Sequence, residues 1–143
     1  MVVLDPQQVE LSGAALSGVR SITIGRTPER LLEEWQDGGP FCIFADVARL
    51  RVTVKVVRWV GASELGAAVE PGEVSTLRFS VTGDGTASQR VQVQCVCSSV
   101  THEAGIAESS GRMPSGVVQK IELRGVSFQP DDDPVVFSNT TGV

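Results

Sequence analysis

The side chains that could do nucleophilic or acid–base chemistry are few: one histidine, His102, and three cysteines, Cys42, Cys95 and Cys97. A catalytic thiol needs an imidazole base within hydrogen-bonding reach and a pocket around both. Cys95 and Cys97 lie two apart in a run that alternates like a strand, so they share a face, are poorly placed for a disulfide, and are expected to be small buried hydrophobes. Polar residues flank His102, as in a solvated loop. The sequence predicts no catalytic residue.

Two short motifs resemble ligand sites only in part. Asp131, Asp132 and Asp133 are contiguous, whereas a calcium loop spaces its acidic ligands at alternate positions and ends on a glutamate. Gly83-Asp84-Gly85 lies between two alternating runs, with no helix N-terminus to receive a phosphate. Both are predicted to be turns, and no metal or cofactor site is predicted.

A basic stripe, Arg49, Arg51 and Lys55, lies on the polar side of the alternating run at residues 50–59. It is consistent with a solvated sheet face, or with a contact to acidic groups on a neighbouring subunit. A nucleic-acid site is disfavoured because the formal net charge is -5, the pI is about 4.8, and there is no tyrosine to stack on bases.

The elements that must position these residues are mainly strands. In residues 50–59 apolar and polar residues alternate, which predicts a half-buried strand with its valines on the core side. The successive valines Val56 and Val57 predict either a bulge or the strand leaving its sheet, with Arg58 moved to the apolar side. Residues 76–82 and 91–97 predict an antiparallel hairpin. Further strands are predicted at 19–24, 41–44, 117–128 and 135–137.

One short helix is predicted at residues 27–37. A threonine able to cap the helix precedes Pro28, which suits the first helical position. Leu31, Leu32 and Trp35 would share one side, and the helix would end near Asp37. The predicted fold class is therefore mainly β: an antiparallel β-sandwich or barrel with one short flanking α-helix.

The chain, 143 residues and 15.1 kDa, is expected to form a single β-sandwich domain over residues 1–143. Long loops are predicted at 61–73 and 100–116, and a flexible tail at 138–143. We see neither a basic start followed by a long apolar run nor a stretch apolar enough to span a bilayer, so a protein without a membrane anchor, made in the cytoplasm, is expected.

The order of these elements resembles the tail tube proteins of long-tailed bacteriophages and, more loosely, the tube-forming proteins of contractile injection systems. The resemblance covers most of the chain as a layout: an early strand at 17–24, a short helix, a long alternating strand, an extended loop, a hairpin and a closing strand. It also rests on short stretches such as residues 120–128, KIELRGVSF, and 133–137.

The resemblance implies a non-enzymatic structural protein of the virion tail. Copies would assemble in the host cytoplasm into hexameric rings that stack into a tube, contact other tail proteins, and let DNA pass without specific binding. Inner strands of neighbouring subunits would join, removing open sheet edges, and the acidic balance would repel phosphate. The candidate subunit-interface residues are Arg49, Arg51, Lys55, Glu64, Glu70 and Glu73.

Three other functions stay open from the sequence. The chain could be another virion component, such as a tail terminator, baseplate hub or capsid decoration protein. A monomeric ligand-binding β-sandwich, for example one that recognises carbohydrate, is disfavoured because only 5% of residues are aromatic. An enzyme that uses His102 and a cysteine comes last.

Overall fold

The computed structural model describes residues 1–61, 70–82, 88–103, 117–129 and 131–140. These residues form strands and connections with no helix, and hence no helix that could cross a membrane. The strands are β1 (Val2–Leu4), β2 (Gln7–Leu11), β3 (Ala14–Ala15), β4 (Val19–Trp35), β5 (Cys42–Val60), β6 (Val74–Thr82), β7 (Ser88–Glu103), β8 (Val117–Gly125) and β9 (Val135–Thr140).

All nine strands belong to one antiparallel sheet, in the order β1-β4-β5-β8-β7-β6-β2-β3. Strand β9 pairs with β7 on the edge that β8 also uses, because β6 occupies the other edge. The mainly β, antiparallel fold predicted from the sequence is confirmed.

The sheet curls so that its two ends approach each other. Strand β1 pairs with β4 near one end of the strand order, and β2 pairs with β6 near the other, yet only Asp5 and Pro6 separate β1 from β2. Leu4 and Gln7 are three residues apart, so the ends of the two strands lie within about 10 Å of each other. The apolar face is thereby enclosed in a single core cluster to which eight strands contribute, all except β3.

Strand β5 alternates without a break in the body of the sheet. Val52, Val54, Val56 and Val60 are buried, and Arg58 lies on the same side. The predicted bulge at Val56 is therefore wrong for β5. The irregularity lies on β4 instead, where Val19 opposes Arg58 and Ser21 opposes Val57, leaving Arg20 as the extra residue.

The helix predicted at 27–37 is also wrong, because β4 continues as a strand to Trp35. Its pairing with β5 keeps one register from Ser21 opposite Val57 to Glu34 opposite Phe44, apart from a local irregularity between Pro28 and Leu31. Backbone hydrogen bonds to β5, the next strand along the chain, override a helix-like local pattern.

The predicted hairpin is present as β6 and β7, with Leu77 opposite Val93 and Phe79 opposite Val91. Its turn at 83–85 lies outside the described residues. Residues 100–103, predicted as loop, continue β7, and 138–140, predicted as flexible tail, continue β9. In the segment 61–73, Gly61 and residues 70–73 lie between strands, and the remainder of all three predicted segments lies outside the described residues.

Candidate assembly surface

The outer halves of β4 and β5 form a two-stranded ribbon, residues 26–51, which we call the arm. Strand β1 pairs with β4 only from Ser21 to Thr23, and β8 pairs with β5 only from Thr53 onward. Within the described part of the chain, the arm's strands thus pair only with each other, and both of its outer backbone edges are open. Such edges are templates for pairing with another chain.

The arm exposes large apolar side chains on a scale unusual for a solvated surface. Their relative exposures run from 42% for Leu32 to 80% for Phe41. Among the arm side chains that the structure describes, they are Leu31, Leu32, Trp35, Phe41, Ile43, Phe44 and Leu50. A two-stranded ribbon is marginal on its own in water, so this composition makes the arm a candidate contact surface.

The outer part of the arm is also acidic. Between Arg30 and Arg49 the sequence contains four carboxylates and no lysine or arginine. The carboxylates are Glu33, Glu34, Asp37 and Asp46. We call residues 31–48 the arm tip, a segment that combines apolar and negatively charged side chains.

An ion pair attaches the base of the arm to the body. The Arg26 guanidinium lies 2.8 Å from Asp133 Oδ2, and Asp133 Oδ1 accepts a hydrogen bond of 2.9 Å from the backbone N–H of Val135. Beside this pair, Arg49 and Leu50 help to line an open cleft of about 550 Å³. The acidic run at 131–133 therefore forms part of the connection to β9, as the predicted turn requires, and the described residues contain no group of side chains able to hold a metal ion.

The candidate interface residues do not form one stripe. Arg51 and Lys55 lie exposed on the outer face of β5, paired at 3.8 Å with Glu29 and Glu122. Ion pairs this long and this exposed contribute little to stability. Arg49 lies beyond the irregularity in the β4–β5 pairing and opposes Arg30.

The predicted acidic members of the interface lie elsewhere in the chain. Glu70 and Glu73 are exposed in the connection between β5 and β6, and the described residues show no ion pair from either to the basic stripe. Glu64 lies outside the described residues.

Two cations that the sequence did not single out join Arg51 and Lys55. Arg124 opposes Thr53 and Lys120 opposes Val57, so both lie on the outer face of β8. We call Arg51, Lys55, Lys120 and Arg124 the cationic face; Glu122 lies on the same side of β8, between Lys120 and Arg124. Lys120 pairs with Glu103 at 3.2 Å, while Arg124 has no charged partner among the described residues. Alternation along 117–125 places both cations on the polar side, but only the β5–β8 register brings them beside Arg51 and Lys55.

A small apolar platform borders the cationic face. Trp59 opposes Val118 on the same outer side of the sheet, and both are half-buried. The Arg20 guanidinium lies over the Trp59 ring, 5.4 Å from its centroid, in a cation–π contact. The outer side of β5 and β8 thus offers apolar contact next to positive charge.

His102 belongs to a polar chain rather than to a nucleophile pair. The buried Arg58 donates from Nε to Gln119 Oε1 at 2.6 Å, and Gln119 Nε2 lies 3.0 Å from His102 Nε2. Because the Gln119 oxygen accepts from arginine, its amide nitrogen faces the histidine and donates. With this orientation of the amide, His102 Nε2 is the acceptor of the contact.

The cysteines are divided between body and arm. Cys95 and Cys97 are buried, as predicted. Burial raises the pKa of the Cys95 thiol to about 11 and also raises the pKa of the Cys97 thiol, which keeps both neutral and unreactive. Cys42 is exposed at the start of β5, with its Sγ 2.8 Å from the Phe44 carbonyl oxygen.

Neither the models of known protein families nor the curated proteins contain a match to this chain.

Proposed function

We propose that this chain is a structural subunit of a bacteriophage tail tube, which acts by assembling with copies of itself into stacked rings that form a conduit for DNA. One observation carries the proposal: the arm, whose exposed apolar residues and open strand edges require a partner. A subunit whose activity is assembly needs such a surface, whereas a monomeric binding module does not.

The curled antiparallel sheet supports the same function. Its core draws on both ends of the strand order, which suits a compact β-sandwich body from which the arm projects. The arm includes residues 27–37, where the local sequence pattern predicted a helix and the structure has a strand. In the assembly, arm edges of neighbouring copies would continue the sheet of the next subunit, and open edges would disappear.

The net charge of -5 suits a conduit through which DNA moves. A ring of such subunits is strongly acidic, and phosphate would be repelled wherever carboxylates line the lumen. The cationic face would then lie away from the lumen, in contact with protein. Specific DNA binding is not part of the proposed function.

Electron microscopy of the purified protein, together with its mass by light scattering over a hundredfold concentration range, tests the proposal. Rings of uniform size that stack into tubes are expected. Rings that form but never stack would favour a terminator or decoration protein. A monomer at every concentration, with or without other tail proteins, would contradict the proposal.

A further inference from the structure

We infer that the arm tip of one copy lies on the cationic face of a second copy. This inference rests on the proposed self-assembly and deepens it by naming which two surfaces meet. It commits to a second copy of this chain as the occupant, on the basis of size, charge and apolar complementarity.

The arm has the size of an interface. Stable protein interfaces engage about 20–30 residues on each side, the length of the segment 26–51. Its apolar side chains are exposed in the single chain, so the body of the same copy does not cover them. The covering surface must come from another molecule.

The charges of the chain indicate which surface of the second copy covers the arm tip. Two copies of a chain with a net charge of -5 repel each other unless surfaces of opposite sign meet. The arm tip carries Glu33 and Glu34 with no cation between Arg30 and Arg49. On the cationic face, Arg51, Lys55 and Lys120 already form exposed ion pairs of 3.2–3.8 Å within the subunit. Arg124 has no charged partner among the described residues, and the exposed pairs are weak enough to exchange partners, so the face can accept carboxylates of another copy.

The apolar parts also match. Trp59 and Val118 border the cationic face as half-buried apolar residues, and the arm tip presents residues such as Leu31 and Phe44. An apolar and acidic surface thus meets an apolar and basic one. Contact would bury the apolar residues of both surfaces and would also pair the carboxylates of the arm tip with the cations of the cationic face.

A charge swap tests the pairing. The arm variant Glu33→Lys/Glu34→Lys and the face variant Lys55→Glu/Lys120→Glu should each weaken self-association, measured by sedimentation velocity, by about tenfold or more. The four substitutions combined in one chain should restore it to within about threefold of the original. An equimolar mixture of arm and face variants should associate more strongly than either alone.

Two charge-matched variants serve as controls. Asp131→Lys/Asp132→Lys makes the same change of charge as the arm variant, but on an exposed turn outside the arm. Arg78→Glu/Arg90→Glu makes the same change of charge as the face variant, but on β6 and β7, away from the cationic face. Both should leave the self-association constant within about threefold. Circular dichroism and melting temperature confirm that each variant is folded.

The outcomes separate this inference from the proposed function. If arm and face variants associate like the original, or if the swap restores nothing, the arm does not meet the cationic face, even where electron microscopy shows tubes. If the swap restores association but only dimers form, the contact between arm tip and cationic face is supported, and the proposed tube is contradicted. A chain that stays monomeric overturns both, and an association lost only in the control variants overturns the pairing.

Discussion

Strands β4 and β5 continue from the body of the sheet into the arm. The two halves are paired in the same way, but they differ in the burial of their apolar side chains. In the body, Ile22, Ile24 and Val54 are buried; in the arm, apolar residues of the same two strands, such as Leu31 and Phe44, are about half exposed. The hydrogen-bonded register continues through both. In the arm, strand pairing alone therefore holds the backbone in place. Burial of apolar side chains supplies most of the stability of a folded protein, and it ends where the neighbouring strands β1 and β8 end.

The consequence is that two kinds of apolar residue occur in one chain. The buried ones of the body stabilise the subunit, whereas the exposed ones of the arm contribute little to its stability. Because folded proteins open locally where few buried contacts exist, the arm should be the least stable paired segment of the isolated subunit and should become ordered when it is covered.

The largest expected effect comes from matched phenylalanine truncations. Phe79 is fully buried in β6 and Phe44 is exposed in the arm. Phe79→Ala should lower the free energy of unfolding by about 3–5 kcal/mol, and Phe44→Ala should change it by less than about 0.5 kcal/mol. Denaturant titration at a concentration where the protein is monomeric measures both.

The same pair separates folding from assembly. Phe44→Ala should weaken self-association although the subunit remains stable. Equal losses of stability in the two variants would mean that the arm is packed within its own subunit, and the distinction between body and arm would fail.

Two glycines extend the comparison to the backbone. Gly18 and Gly38 both have positive φ angles, of 69° and 88°, but a Cβ on Gly18 would lie 2.5 Å from the Trp59 carbonyl oxygen, whereas one on Gly38 would meet nothing within 4 Å. Gly18→Ala should cost at least about 2 kcal/mol, from the left-handed conformation and the displaced strand. Gly38→Ala should cost about 1 kcal/mol or less. Melting temperatures would reveal the order, and a larger loss for Gly38→Ala would contradict it.

Thiol reactivity reports the same division without a substitution. Cys42 lies in the arm, and Cys95 and Cys97 lie in the core. Burial that raises the Cys95 pKa from 9.0 to about 11 lowers its thiolate fraction at neutral pH about a hundredfold. A maleimide should therefore modify Cys42 first, as mass spectrometry of peptides would show, and assembly should slow that reaction if the arm becomes covered.

The Cys95 thiol also predicts a response to alkali. Its pKa is raised in the folded state, so between about pH 9 and 11 the folded chain binds more protons than the unfolded chain. Stability should thus fall as the pH rises through that window. Cys95→Val should flatten this slope, whereas a slope unchanged in that variant would assign it to other groups.

The sequence predicted the body better than the arm for a physical reason. Leu77, Phe79 and Val91 alternate with polar residues, and a period of two is visible locally. In the arm, Leu31 and Trp35 are spaced as on one side of a helix, and their strand partners come from a segment that starts at Cys42. A segment whose local preference opposes its structure is where functional constraints are expected.

The candidate surface was recoverable in part. Arg51 and Lys55 were correctly placed together on the outer face of a strand, because alternation along one strand settles that question. Lys120 and Arg124 required the β5–β8 register, which depends on pairing between segments far apart in the sequence. The acidic residues that the sequence proposes for the interface, Glu70 and Glu73 among them, lie in a connection between strands, and Glu33 and Glu34 were predicted on a helix where the structure has a strand.

The smallest expected effect concerns the polar chain at the end of β7. His102 accepts from the Gln119 amide, whose oxygen is held by Arg58. His102→Ala removes this acceptor from the buried Gln119 amide, so the free energy of unfolding should fall by about 0.5–1.5 kcal/mol. His102→Gln, whose side-chain oxygen can also accept from Gln119, should keep most of the stability. Lys120→Gln, next to the polar chain but outside it, should change the stability by less than about 0.5 kcal/mol. Denaturant titration measures all three variants. If His102→Ala is as stable as Lys120→Gln, the contact with Gln119 contributes nothing, and the ring only fills space at the end of the sheet.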